Sequence, residues 1–381
     1  MSPGHTLGRY QLERCIGVGG MGDVWLAHQQ GREGPVVVKR LHSFLAQDTH
    51  SVDRFFDEIL VMRQLCHRNV ARLLDGGRIG DTYFLAMEFV DGLTLAQCLQ
   101  ANDAPLDATL VAAMTSQACA GLVYAHAATD EDGDPLNLVH RDISPDNLMV
   151  DGQGTVRVLD FGLARATCSL AAATKTGQRR GKLLYAAPEY TLHGTATERI
   201  DVYSLGVTLM ELCTGTHPFE DCTDQFELMR LSCQVGLPSA HELAPDLEPE
   251  MVRIIADATQ RKPETRLASV FGLKQRLDEF LLGHDAPSLA MIGGMVETWQ
   301  RRLRAAAALP GSLGQLEPTA THPEFVPRRP NVTTSRVSRP PAPPTEPLAA
   351  GPGDGEPKVI VSAELEGVIQ TAPLRNDRRS R

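Results

Sequence analysis

The sequence predicts an α+β protein of two lobes: a small β-rich lobe over about residues 10–90 and a larger helical lobe over about residues 91–282. A tail with little fixed structure follows. Three observations carry this prediction. Short runs with strand character fill the chain up to Val90, helix-period apolar patterns dominate after residue 95, and proline and charge usage change near residue 283.

In the first lobe, YQLERCI (10–16), DVWLA (23–27), PVVVKRL (35–41) and TYFLAMEFV (82–90) are rich in β-branched and aromatic residues and read as strands. One stretch breaks the series. SVDRFFDEILVMRQL (51–65) repeats Phe55, Ile59, Met62 and Leu65 at i, i+4, i+7 and i+10, which puts them on one face of a helix. Later, LVAAMTSQACAGLVYAH (110–126), DVYSLGVTLMELCTG (201–215), EMVRIIADATQ (250–260) and VFGLKQRLDEFLL (270–282) read as helices. A helical extension spans 283–309, and its MVETWQRRLRAAAAL (295–309) suits either partner binding or packing. Fourteen of the 25 prolines follow residue 282, and RPPAPPTEP (339–347) marks residues 310–381 as a Pro-rich, largely disordered tail. Its KVIVSAELEGVIQ (358–370) is a marginally ordered peptide, apolar enough to dock on a partner.

The 381 residues carry a net charge of −10, which argues against a nucleic-acid partner, since that needs a basic face. No run of 18 apolar residues and no cationic leader with an apolar core is present, so no membrane insertion and a cytoplasmic location are expected. The eight cysteines lack any CxxC pair and read as free thiols of a reducing compartment.

GVGGMGDV (17–24) fits G-x-G-x-x-G-x-V. A dinucleotide-binding loop of this type would run from a strand into a helix. Here strand-like WLAHQ and PVVVKRL follow, so the loop joins two strands, either as a flap over phosphates or as a plain glycine-rich hairpin turn. Lys39 ends the apolar run Val36–Val38, where a charge needs a partner or a ligand. Glu58 lies on the helical stretch that follows.

Taken with HRDISPDN (140–147), DFG (160–162) and APE (187–189), the order and spacing resemble a eukaryotic-like protein kinase over roughly residues 10–282. GGMGDV and HRDISPDN are most similar to bacterial serine/threonine (Hanks-type) kinases, and DEDGDPLNLVHRD and GKLLYAAPE to soluble myxobacterial ones. The resemblance implies a bilobal kinase fold, ATP as the nucleotide, magnesium (or manganese) as the metal, and protein substrates. It implies that Ile16, Gly17, Val18, Gly19, Gly20, Met21, Gly22, Asp23 and Val24 cover ATP, with Val37 in the roof. Lys39 would hold the α- and β-phosphates and pair with Glu58. Glu88 and Val90, after the gatekeeper Met87, would meet adenine, with Met149 beneath the ring. Asp142 would orient the substrate hydroxyl, and Asn147 and Asp160 would hold the metal. Asp201 and Gly206 match the helix that supports the catalytic loop, and Arg266 is the expected partner of Glu189.

Two positions depart from the family pattern. Ser144 stands where serine/threonine kinases carry a lysine that touches the γ-phosphate, and Lys182 stands where they carry a threonine. The pair keeps one cation and one hydroxyl, so Lys182 is expected to replace the missing cation with Ser144 as its hydrogen-bond partner. Against this stands a Lys182 that points to solvent. Val37, in place of the usual alanine, narrows the roof over adenine. Arg141 implies ordering of the activation loop by phosphorylation, with Thr174 and Thr176 favoured over Thr167 and Ser169. The acidic insertion DEDGDP (130–135) reads as a solvated turn.

The leading expectation is an active Ser/Thr kinase. Its alternatives are a nucleotide-binding scaffold acting through the tail, a small-molecule phosphotransferase, and tyrosine specificity, since Ser144 removes the usual Ser/Thr marker. A partner for the tail is possible, and the oligomeric state is left open.

Overall fold

The computed structural model describes residues 5–18, 22–41, 59, 62–130, 132–161 and 178–308, the side chains of 178–180 and 182 excepted. The first lobe is one antiparallel sheet of β1 (Thr6–Leu7), β2 (Tyr10–Val18), β3 (Gly22–Gln29), β4 (Pro35–Leu41), β5 (Leu73–Ile79) and β6 (Thr82–Glu88), in the order β1-β2-β3-β4-β6-β5. β5 is not among the predicted strands. Its LLDGGRI sequence dilutes the strand signal with two glycines and an aspartate, and pairing with β6 holds it in the sheet.

Strand alternation sorts β4 between the two faces of this sheet. Val36 and Val38 are fully buried with Tyr10, Leu12, Trp25, Ala27 and Phe84 in a core on the outer face. Val37 and Lys39 therefore project to the inner face. There the helical Ile59 and Met62, with Leu65, pack against Leu73 and Leu85. These three lie on the predicted helical face; Phe55 lies outside the described residues.

The second lobe carries a small sheet of β7 (Gly92–Thr94), β8 (Leu148–Asp151) and β9 (Val156–Val158). These strands are too short to show periodicity. Ten helices are described: α1 (Leu95–Asn102), α2 (Ala108–His126), α3 (Gln178–Tyr185), α4 (Pro188–His193), α5 (Glu198–Thr214), α6 (Gln225–Arg230), α7 (Ala240–Leu243), α8 (Pro249–Ala258), α9 (Val270–Leu282) and α10 (Leu289–Ala307). Asp107 starts α2 by accepting from the Thr109 and Leu110 amides. α2 is long and apolar enough to cross a membrane by composition, yet most of it is buried as a core helix of this lobe. α5 is buried along most of its length, and a Cβ on Gly206 would come within 2.8 Å of the Ala258 side chain, so only glycine lets α5 approach α8 this closely.

The acidic insertion is a turn: Thr129 bridges Pro135, and Asp130 accepts from the Asp132 and Asp134 amides. Cysteines among the described residues are free thiols, and burial pushes Cys98 and Cys213 up to about 12, which makes them inert at neutral pH.

Candidate active site

Sheet register places the predicted nucleotide residues. Val24 pairs with Gly17 and with Lys39, Lys39 with Leu85, and Val37 with Met87, so Val24, Lys39, Val37 and Met87 share the inner face. β2 and β3 form the hairpin that carries the glycine loop, which joins two strands as the sequence predicts. Gly19, Gly20 and Met21 lie outside the described residues. Asp23 and Val18 pair with each other on the opposite face, where the Asp23 carboxylate is bound by Arg40 and Val18 is exposed. Neither side chain reaches the inner face, because each is one residue out of phase with Val24.

Lys39 is buried, and its Nζ donates to Asp160 Oδ2 at 2.7 Å. Glu58, the partner implied for it, lies outside the described residues. Asp160 has φ +54°, in the left-handed region that non-glycine residues rarely occupy. Phe161 after it is buried edge-on against the His140 ring at 4.8 Å. Met149 lies on β8 opposite Thr94, Val90 is buried in the connection between the lobes, and the Glu88 carboxylate faces Arg157 at 3.5 Å. Ile16 is half-buried at the irregularity between Cys15 and Gly17.

The catalytic loop is built on backbone and buried charge. Asn147 Nδ2 donates to the Asp142 carbonyl at 2.6 Å, and its own carbonyl accepts from the Leu159 amide, which ties residues 142–147 to the segment before Asp160. Asp201, fully buried at the start of α5, accepts from the His140 amide, the Arg141 amide and His126 Nε2, each at 2.8 Å. Burial alone would raise its pKa. The His126 hydrogen bond and charge, with His140 and the Arg141 amide, outweigh burial and hold it below the usual carboxylate range. Burial likewise disfavours the His126 cation, but Asp201 and Glu198 raise its pKa on balance. His126 went unnoticed in the sequence, because its role depends on Asp201, 75 residues away.

Ser144 is buried at 3% exposure, and its hydroxyl has no hydrogen-bond partner among the described residues. Lys182 lies on α3, and its side chain is outside the described residues. α3 is anchored beside the loop: Tyr185 Oη donates to Glu211 Oε2 at 2.5 Å, and Ser204 Oγ donates to the Tyr185 carbonyl. Arg266 grips Glu189 through both guanidinium nitrogens, at 2.7 and 3.0 Å, fixing α4 to the lobe. Thr167, Ser169, Thr174 and Thr176 lie outside the described residues.

Two acids near the loop have raised pKa values. Burial, then Asp142, pushes Asp146 up to about 6. Burial pushes Glu211 up to about 7, with Asp146 and Glu220 adding and the Tyr185 hydroxyl opposing. A carboxyl raised on folding contributes stability that is complete below its unfolded pKa and lost as pH rises through the folded value. Glu211→Gln, which can still accept from Tyr185, is therefore expected to gain thermal stability relative to wild type as pH rises from 6 to 9. Melting curves parallel across that range would refute the assignment.

These strands, helices and contacts are those of a protein kinase fold. The model of the protein kinase domain matches residues 10–277, and the chain belongs to that family, within its bacterial Hanks-type branch. It is 36% identical over 292 residues to the tyrosine-protein kinase MasK of Myxococcus xanthus, covering 74% of this chain and 45% of that one. It is 34% identical over 256 residues to the serine/threonine-protein kinase PrkC of Bacillus subtilis, covering 67% and 38%. The chain thus spans less than half the length of both relatives. The crystal structure of the Mycobacterium tuberculosis PknI kinase domain superposes with a TM-score of 0.56 at 25% identity, covering 73% of this chain and 98% of that domain.

Proposed function

We propose that the chain is an active, ATP-dependent protein kinase that phosphorylates serine or threonine hydroxyls of proteins, including its own activation loop, in the cytoplasm. The observation that supports this reading is the pair of bonds from Lys39 to Asp160 at 2.7 Å and from Asn147 to the Asp142 carbonyl at 2.6 Å. A scaffold that had lost the reaction would not need to keep all four. The donor set suits the cofactors: with Nδ2 turned to Asp142, Asn147 keeps its amide oxygen for a hard cation, and the Asp160 carboxylate supplies a second oxygen. Magnesium, or manganese, held there by Asn147 and Asp160 would neutralise charge on the phosphates. Lys39 binds phosphate, Asp142 accepts the hydrogen bond of the incoming hydroxyl, and the hairpin with Val24, Val37 and Met87 encloses the nucleotide.

Lys182 supplies the cation absent at position 144, and the Ser144 hydroxyl, without a partner among the described residues, is open to the same group. Lys182→Ala is expected to lower kcat by about 10²-fold or more, the scale of losing one charge contact to the transition state. Turnover near wild type would sink the idea. Ser144→Lys combined with Lys182→Thr should recover more activity than either change alone.

A second reading, tyrosine or dual specificity, is favoured by the name of the Myxococcus relative and by the small residue at 144. The test is autophosphorylation with ATP and magnesium, mapped by mass spectrometry beside Asp142→Asn. Label on Thr174 or Thr176 supports the first reading, label on tyrosine the second, and no label in wild type overturns both. The Pro-rich tail is offered as the site of a protein partner.

A further inference from the structure

We infer that α10, which follows the residues matched by the kinase family, is a positioning element of the nucleotide site, held in place chiefly by Trp299. The inference rests on the nucleotide-binding reading above.

α10 docks through one stripe. Ile292, Val296 and Trp299 are buried and Leu303 is half-buried, at spacings of four, three and four, which is one face of a helix. Along that stripe it meets two parts of the second lobe. At its N-terminal end it lies against the turn between β8 and β9. A Cβ on Gly293 would stand 2.3 Å from the Gly152 carbonyl oxygen, and one on Gly154 would stand 2.1 Å from the Leu289 carbonyl oxygen. Backbone touches backbone at both places, which only glycine permits.

Further along, α10 closes the end of α1. Trp299 Nε1 donates to Asn102 Oδ1 at 3.3 Å, and Arg302 Nη1 donates to the Ala101 carbonyl at 3.3 Å. The last carbonyls of a helix have no partner within it, and Arg302 supplies one to Ala101, while Trp299 holds the Asn102 side chain beside it.

Both docking sites lead directly to the nucleotide. β8 carries Met149, the floor of the adenine pocket, paired with Thr94 of β7. Thr94 is also the N-cap of α1: its hydroxyl accepts from the Gln97 amide, and its own amide donates to Gln97 Oε1. β7 follows the connection that holds Val90. α10 thus grips the far end of α1 and the far turn of β8, and the segment between those grips is the adenine floor. A helix that served only to cover apolar surface would not need backbone contact with the hairpin that sets this floor.

The test uses the full chain. ATP binding is titrated directly, and KM for ATP, KM for a peptide substrate and kcat are measured for wild type, Trp299→Ala, Trp299→Phe and Gly293→Ala. Leu273→Ala, in the buried face of α9, is the control for lost stability alone. Trp299→Ala and Gly293→Ala are each expected to weaken ATP binding by roughly 3- to 30-fold, the scale of coupling through packed contacts, with kcat at saturating ATP and KM for peptide held. Trp299→Phe should recover most of that affinity. Leu273→Ala should lower the melting temperature and leave ATP affinity unchanged. Gly293→Ala keeps the test decisive if Trp299→Ala does not fold. ATP affinity equal to wild type in a folded α10 variant overturns the inference and leaves the kinase reading standing. A wild type that binds no ATP overturns both.

Discussion

Asp142→Asn is expected to lower kcat by about 10³-fold, within the range for losing a positioned acid–base group, with the protein still folded. Two bonds of the residue 142 backbone hold the loop. Its carbonyl accepts from Asn147 Nδ2 at 2.6 Å, and its amide donates to His140 Nδ1 at 3.3 Å. Both bonds belong to the backbone of residue 142 and survive the substitution. Asparagine keeps the shape but replaces one acceptor oxygen with a donor, so a substrate hydroxyl would lose the acceptor proposed to orient it. The Asp142 charge also helps to raise the pKa of Asp146, so the variant should lower that pKa from about 6. Single-turnover phosphorylation beside a thermal melt checks the split. A rate within tenfold of wild type would remove Asp142 from the mechanism, and a lost fold would show that its carboxylate is structural.

Asp201→Asn has the largest expected effect on stability, about 3–5 kcal/mol, the scale for breaking a buried charged pair from one side. The carboxylate receives three N–H donors and has no solvent exposure. Asparagine would point its own N–H₂ at one of them, leaving two donors face to face without water. The His140 and Arg141 amides would lose their anchor, so activity should fall along with stability. The pH profile identifies the cause. The Asp201 pKa is lowered by folding, so its contribution is complete above the unfolded carboxylate value and lost as pH falls through the lower folded one. The His126 pKa is raised, so its contribution is complete below the usual histidine value and lost as pH rises through the higher folded one. Wild-type stability is expected to peak between those limits. Asp201→Asn should be lower throughout and flatter on both sides, and a variant that keeps the wild-type profile would refute the pair.

Two features were not legible in the sequence. The position of Asp23 in the glycine loop points to the nucleotide, yet a strand turns successive side chains to opposite faces, and the Asp23 side chain falls on the face of Arg40. The extension after residue 282 suited two roles by sequence, and docking decided for packing, because the glycines that admit it are read only when both backbones are seen together.

The sequence by itself determined the order of the two lobes, the hairpin placement of the glycine loop, the helical face of Ile59, Met62 and Leu65, and the residue types at Lys39, Asp142, Asn147 and Asp160. These are local matters of spacing, period and side-chain chemistry, which a chain carries before it folds. The tertiary structure alone decided that Lys39 meets Asp160 across 121 residues, that Asp201 gathers donors from two other segments, and that β5 and β7–β9 are strands at all. A buried charge takes whichever partner the topology brings within hydrogen-bond distance, and a short strand owes its form to the neighbour it pairs with.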